Sequence, residues 1–172
     1  MNERTKKQMA DSIRGFYLPR FDELPNVGYY LEQTVTYINQ CIEPLGCSPI
    51  TSAMVGNYAK KNVVPGPVKK LYYNEQIAHL LVIAIAKNVL SLENICKLLS
   101  MQKGVYTDQV AYDYFCSELE NMLFYTFGVR DEVEQVGVTN SDLKMMLRGV
   151  IIAVSQMIYL ERCFDAIEME KG

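Results

Sequence analysis

The chain has 172 residues, of which 49% are hydrophobic and 22% are charged. These values are typical of one globular domain, or of a small domain with a helical extension. A chain of this length buries roughly two-thirds of its unfolded surface on folding, so it needs no disulfide or metal to hold it together. The formal net charge is −3.

The sequence offers no export or membrane signal. Its first sixteen residues, MNERTKKQMADSIRGF, contain no apolar run of the kind a signal peptide needs. The longest apolar stretch, residues 149–160, is too short to span a bilayer and is flanked by Arg148 and Glu161. We therefore expect a cytoplasmic protein. The five cysteines form no C-x-x-C pair, so we expect reduced, mostly buried thiols and no metal or redox role.

The N-terminal part predicts two helices joined by a connector. Residues 1–15 have a helical, net basic composition, and residues 16–30 form a connector that is interrupted by prolines and pinned by its aromatics. A helix is predicted over residues 31–42, because apolar side chains recur there on one face. These are Leu31, Val35, Ile38 and Ile42. Pro44 and Gly46 end this helix.

The next segment predicts a short helix and a tight loop. Thr51 is the expected N-cap, and the helix ends near Asn62, which tolerates a left-handed backbone. The run VVPGPVKKLYY then predicts a tight loop with a brief extended return. One of the two adjacent tyrosines must point inward, and we expect Tyr72 to be the outward one.

Three more helices follow, so the predicted class is mainly α with a minor β-wing. Residues 74–90 form a helix that is apolar on nearly all sides, which implies burial on more than one face. Ser91 caps the next helix. Thr107 or Asp108 opens another, and Asn140 or Ser141 opens a long final helix. This last helix is apolar beyond a single stripe, which favours either a homodimer or a path through the monomer's own core.

One stretch of this acidic chain lacks negative charge. Residues 44–74 contain no acid and four lysines, Lys60, Lys61, Lys69 and Lys70, a local charge of +4. Duplex phosphates attract such a patch, and each contact releases counterions. The alternative is an ordinary solvated surface. Residues 108–135 carry a net charge of −6, and this half is expected to face away from DNA.

The residues ITSAMVGNYAKKNVVPGP resemble the recognition segment of MerR-type regulators, whose pattern is roughly V-S-x-x-T-L-R-Y-Y-E-x-x-G-L-L-P-P. The following LYYNEQIAHLLVIAIAKNVLSLENICKLL resembles the exit from their wing and the helices after it. This likeness covers about residues 31–100. More narrowly, most of the chain resembles a bacterial family catalogued only as a domain of unknown function (number 1836), through LPRFDELP and residues 51–83.

The MerR resemblance implies a winged helix-turn-helix at 31–102, preceded by a helix and connector (1–30) and followed by a helical region for dimerisation or sensing (103–172). It also implies a transcriptional regulator that binds duplex DNA through the 51–61 helix and the 65–73 wing. The expected contacts are Ser52, Asn57, Lys60, Lys61, Lys69, Lys70 and Tyr72. Gly56 and Leu71 stand where the MerR pattern has arginines. They favour the alternative of a protein-interaction module that keeps the fold and has lost DNA binding.

No enzyme is expected. The chain has one histidine, His79, so neither a histidine-based triad nor a multi-histidine metal site can be assembled, and no cofactor motif is present. A small-molecule effector is a further hypothesis. It rests on aromatic and methionine side chains that line a pocket or, alternatively, the core: Tyr112, Tyr114, Phe115, Met122, Phe124 and Tyr125.

Overall fold

The computed structural model describes residues 2–136 and 141–170, and within these ranges the chain is mainly helical, as predicted. Seven α-helices follow one another in these residues: α1 (Glu3–Ile13), α2 (Leu31–Ile42), α3 (Ser52–Lys60), α4 (Asn74–Ala86), α5 (Leu92–Gln102), α6 (Asp108–Thr126) and α7 (Asp142–Met169). The β-structure of the described ranges consists of two isolated antiparallel bridges, Tyr29 with Tyr72 and Val68 with Leu71.

Four helices begin at the hydroxyl caps that the sequence predicts. In each case the side-chain oxygen accepts a hydrogen bond from the backbone N–H three residues ahead, which satisfies one of the free donors of the first turn. The caps are Thr51, Ser91, Thr107 and Ser141. Thr107 and Ser141 are therefore the correct choices at their positions, and Asn140 lies outside the described residues.

Helix α4 is the centre of the core. It packs against α2, α5, α6 and α7, and most of its side chains are buried on every side, as its apolar composition predicts. The prediction that it continues to residue 90 is wrong, because the helix ends at Ala86. The side-chain amide of Asn88 donates hydrogen bonds to the carbonyls of Ala84 and Ile85, and these bonds cap the helix end.

The connector between α1 and α2 is fixed to α6 by polar contacts. Arg20 forms a double ion pair with Glu120, with both N···O distances at 2.7 Å. Glu120 also accepts a hydrogen bond from the backbone N–H of Leu18, a residue with no exposed surface. The hydroxyl of Tyr112 donates to the carbonyl of Pro19 at 2.9 Å. These contacts make α6 part of the same packed unit as the N-terminal segment.

Helix α7 has an inner face, which packs against the other helices, and an outer face, which is exposed. Ile151, Val154 and Ile158 are buried and point toward the other helices. The opposite face is also apolar, yet it is exposed: Met145, Met146, Ile152, Leu160, Phe164 and Ile167. By length and composition alone, α7 is the one helix of the described residues that could cross a membrane, although core helices of soluble proteins pass the same test.

A buried carboxylate on α6 gives folding a pH dependence. Glu118 is almost fully buried, and its Oε1 lies 2.9 Å from Nε of Arg148 on α7. Burial raises the pKa of Glu118, and the charges of Arg148 and Lys144 offset only part of that rise. A carboxyl group whose pKa is raised by folding stabilises the protein fully below its unfolded pKa, and this stabilisation is lost as the pH rises through the folded pKa.

We therefore expect Glu118→Gln to gain stability relative to the wild type as the pH rises from 4 to 7. The amide keeps a hydrogen-bond acceptor for Arg148 but carries no charge that must be desolvated. Urea unfolding at several pH values measures the difference. Glu161→Gln, at an exposed position on α7, is the control and should show no such trend. If the difference in the free energy of unfolding between wild type and variant does not change with pH, the expectation is wrong.

Candidate functional site

The candidate site is built on α3 and the loop that follows it, and the turn before α3 fixes the helix in place. The side-chain amide of Asn39 on α2 forms two hydrogen bonds with the backbone of Ile50. Its Nδ2 donates to the Ile50 carbonyl, and its Oδ1 accepts from the Ile50 N–H, both at 2.9 Å. These two hydrogen bonds hold the residues that precede α3 against α2. The role of Asn39 was not predicted from the sequence, because nothing in the residues around it on α2 indicates a partner eleven residues away.

Helix α3 presents one polar face to solvent. Val55 and Tyr58 are buried on its inner side. Asn57, Lys60 and Lys61 are exposed together on the outer side. The helix ends as predicted before Asn62, which takes a left-handed backbone with φ of 54°. Three of the four predicted contact residues of the helix are thus brought together on one accessible surface.

The other two lysines form the tip of a tight hairpin. Val68 and Leu71 exchange both backbone hydrogen bonds at 2.9 Å, so Lys69 and Lys70 are the two residues of the turn. Both have positive φ, 50° and 69°, which is the signature of a type I′ turn. Asparagine and glycine are the residues that favour these positions, whereas a lysine there is strained. The turn holds both ammonium-bearing side chains out in solvent.

The expectation that Tyr72 points outward is wrong. Tyr72 retains only 4% of its surface, and burial raises the pKa of its hydroxyl. Its backbone exchanges two 2.8 Å hydrogen bonds with Tyr29 of the connector, and this pairing sets which way the tyrosine faces. Tyr73 is half-buried. Alternation along a strand requires one of the two neighbours to point inward but does not say which one.

The connector lies directly against the hairpin. Gly28 has φ of 75°, and a Cβ atom built on it would come within 3.0 Å of Cζ of Tyr73 and 3.1 Å of Cβ of Leu71. A larger residue there would be both strained and crowded. Leu71 is half-buried beside Gly28, so it is a packing residue.

Ser52 is less available than the sequence suggests. Its hydroxyl donates a 2.6 Å hydrogen bond to Oε1 of Glu32, in the first turn of α2. This contact brings an exposed carboxylate to the edge of the basic surface, although the stretch 44–74 itself contains no acid. By contrast, Lys60, Lys61, Lys69 and Lys70 make no ion pair and no side-chain hydrogen bond with any residue that the structure describes.

A second feature is a cavity of about 300 Å³ between α4, α5, α6 and α7. Of the aromatic and methionine residues proposed for a pocket, Tyr112, Tyr114 and Phe115 line it. Met122, Phe124 and Tyr125 are not among its lining residues. The remaining walls come from helices that the sequence did not connect with a pocket, including His79 of α4 and Leu98 of α5.

Comparison with known families identifies the segment that carries the candidate site. The model of one family, Domain of unknown function (DUF1836), matches residues 19–116, more than half of the chain. The chain belongs to this family. The DUF1836 segment runs from the connector into α6 and includes α3, the hairpin and α4. No curated protein and no solved structure matches the chain.

Proposed function

We propose that the protein is a DNA-binding transcriptional regulator whose residues 31–102 form a MerR-like winged helix-turn-helix. In this arrangement α3 enters the major groove, and Asn57, Lys60 and Lys61 face the bases and phosphates. The hairpin is the wing, and Lys69 and Lys70 contact the neighbouring phosphate backbone. Tyr72 takes no part because it is buried, and Ser52 contributes only if it releases Glu32.

The observation that supports this proposal most strongly is the hairpin turn. Two consecutive lysines occupy left-handed positions that asparagine or glycine would fill without strain. A solvated surface gains nothing from that strain, because lysine is equally well hydrated on any exposed helix. A phosphate contact provides a reason for it, since the tight turn projects both charges forward on a narrow tip.

The salt dependence of DNA binding tests the proposal. We expect the wild type to bind duplex DNA with a log–log salt slope of about −3.6 for each bound subunit, which corresponds to four phosphate contacts at about −0.9 each. Lys69→Asn/Lys70→Gly should retain the type I′ turn, remove two charges and reduce the slope to about −1.8. Lys60→Gln/Lys61→Gln should reduce it by the same amount. Fluorescence anisotropy with pooled genomic fragments at several salt concentrations measures these slopes.

A matched control distinguishes the loss of phosphate contacts from the loss of net positive charge. Lys97→Gln/Lys103→Gln removes two positive charges from exposed positions on and after α5. This variant should bind with the wild-type slope, since those lysines lie outside the proposed surface. If the folded wild type does not bind duplex DNA at low salt, or if all three double variants bind equally, the proposal fails.

We further propose that the protein forms a homodimer through the outer face of α7. That face is apolar along a helix of 28 residues and is uncovered in the monomer. A two-fold axis brings the same patch of both subunits together, so an apolar stripe on one copy finds its complement on the other. Two paired subunits would also present two copies of α3 to two half-sites on DNA.

Two observations favour a different function, that of a protein-interaction module with a degenerate winged helix. Glu32 places a carboxylate beside Ser52, where phosphates would approach, and Leu71 packs where the MerR pattern has an arginine. A module of this kind would bind a protein partner through apolar contacts. Its binding would change little with salt, whereas binding to DNA through four lysines would weaken steeply.

A further inference from the structure

The outer face of α3 begins with very small residues. Ala53, Gly56, Asn57 and Lys60 share this face, because they follow one another at positions i, i+3, i+4 and i+7 of the helix. Ala53, Asn57 and Lys60 are exposed. Ala53 has a single methyl group and Gly56 has no side chain. A molecule that docks on this face therefore comes close to the backbone of α3.

Gly56 is not needed for packing within the described part of the chain. A Cβ atom built on it would meet no atom within 4 Å, apart from its chain neighbours and the nearby backbone of its own helix. Its φ is not in the left-handed region, so its conformation does not require glycine either. A glycine inside a helix destabilises that helix relative to alanine, and one use of such a glycine is to let another molecule approach the backbone closely.

Asn57 is the residue of α3 that is best equipped to recognise a base. Its side-chain amide both donates and accepts hydrogen bonds, it is exposed, and it bonds to no residue in 2–136 or 141–170. The hydroxyl of Ser52 also has both capacities, but it is half-buried and bonded to Glu32. Lys60 only donates, and lysine contacts with phosphates carry no sequence information.

An asparagine amide is complementary to one base edge of the major groove. Adenine presents the N7 acceptor beside the N6 amino donor, so Nδ2 of an asparagine donates to N7 while Oδ1 accepts from N6. The other three bases do not present this pair of groups there. Because the asparagine side chain is short, the helix backbone has to lie deep in the groove for both bonds to form.

We propose that Asn57 recognises an adenine in the major groove through these two hydrogen bonds, and that Gly56 lets α3 reach the depth at which they form. This inference rests on the proposed DNA binding and adds the base pair that the site prefers, A·T. The lysines on α3 and the hairpin assign the close approach at Gly56 to a nucleic acid, since residues 44–74 carry a charge of +4 and no acid.

Replacement of single adenines by 7-deaza-2′-deoxyadenosine tests the contact. This analogue pairs with thymine but lacks the N7 acceptor. The wild-type protein first selects its site from pooled genomic duplexes, and fluorescence anisotropy then compares duplexes in which each adenine of that site is replaced in turn. We expect one position for each bound subunit at which the replacement weakens binding at least about fivefold. The same replacement outside the selected site should have no effect.

Two variants assign that position to Asn57. Asn57→Ala should bind the unmodified duplex at least about fivefold more weakly, and replacement of the adenine should weaken its binding no further, because the contact is already lost. Lys60→Gln/Lys61→Gln is the matched control. It should bind both duplexes more weakly but keep the wild-type ratio between them, since it removes phosphate contacts alone.

Gly56→Ala and Gly56→Gln test the depth of docking, with opposite signs for stability and binding. Both variants should unfold at a higher urea concentration than the wild type, because the new side chain favours the helix and meets open space. Both should bind the selected duplex more weakly, and Gly56→Gln at least about fivefold more weakly, because its side chain lifts Asn57 from the base. The gain in stability excludes misfolding as the cause.

The outcomes separate this inference from the proposed function. If the wild type binds duplex DNA but no single N7 matters, or if Asn57→Ala keeps the wild-type response to the analogue, the adenine contact is wrong and DNA binding stands. Wild-type affinity in Gly56→Gln would show that α3 does not approach the groove closely. If the folded wild type binds no duplex at low salt, both proposals fail.

Discussion

Replacing Glu120 with alanine is expected to lower the free energy of unfolding by about 3 kcal/mol, as for other buried ion pairs that lose one partner. The variant leaves the guanidinium of Arg20, which is only 26% exposed, without its carboxylate. It also removes the acceptor for the buried N–H of Leu18. The hydrogen bonds to Glu120 raise the pKa of Arg20 in the wild type. In the variant these bonds are absent, but an arginine side chain does not deprotonate in proteins, so the guanidinium stays charged without its partner.

Urea unfolding followed by circular dichroism measures this effect, and an exposed ion pair is the control. Arg130 and Glu134 are joined by a 2.8 Å contact in which the two side chains are 41% and 68% exposed. Glu134→Ala should therefore cost less than about 1 kcal/mol. Similar losses in the two variants would mean that the connector is not fixed to α6 through Glu120.

Glutamate at two positions on the outer face of α7 is expected to convert the proposed homodimer into monomers. Ile152 and Leu160 are 41% and 51% exposed, and they lie on the side opposite the buried Ile151 and Ile158. In the double variant Ile152→Glu/Leu160→Glu, each subunit would bring two charges into an apolar interface, where they would be desolvated and would repel their symmetry mates. The helices should stay intact, because neither side chain belongs to the core.

Sedimentation velocity at micromolar concentrations distinguishes the two states. Val105→Glu is the matched control, since it adds a charge at an apolar position that is 60% exposed and belongs to the loop between α5 and α6. This variant should remain a dimer. A wild type that is monomeric in sedimentation contradicts the dimer, and flotation of that monomer with neutral liposomes would assign the outer face of α7 to a bilayer.

The elements that could be predicted from the sequence are those that depend on neighbouring residues. Helix α2 has the predicted bounds, 31–42, because its apolar positions and the following Pro44 act locally. The caps at Thr51, Ser91, Thr107 and Ser141 were predictable for the same reason. The end of α4 was not, because the periodicity of residues 74–90 continues past the point where the amide of Asn88 caps the helix.

The contacts that position the candidate site depend on residues far apart in the chain. Ser52 on α3 forms a hydrogen bond with Glu32 on α2, and no local sequence pattern predicts a partner twenty residues away. The direction of Tyr72 is set by Tyr29 in the connector, so an alternation rule applied to residues 71–73 alone could not decide it. The four lysines were predictable because they need only solvent around them. Only part of the cavity could be predicted. Its α6 wall follows from the spacing of aromatic residues in the sequence, whereas its other walls depend on how α4, α5 and α7 pack against α6.

The stretch that defines the family is shorter than the unit that folds. It ends at residue 116, inside α6, whereas Leu119 and Leu123 of the same helix have no exposed surface and the carboxylate that holds Arg20 comes from Glu120. A fragment cut at the family boundary would uncover the centre of α4 and leave the connector unanchored. The residues that characterise this family therefore depend for their shape on residues that the family signature omits, and any shorter version of the protein has to keep α6 whole.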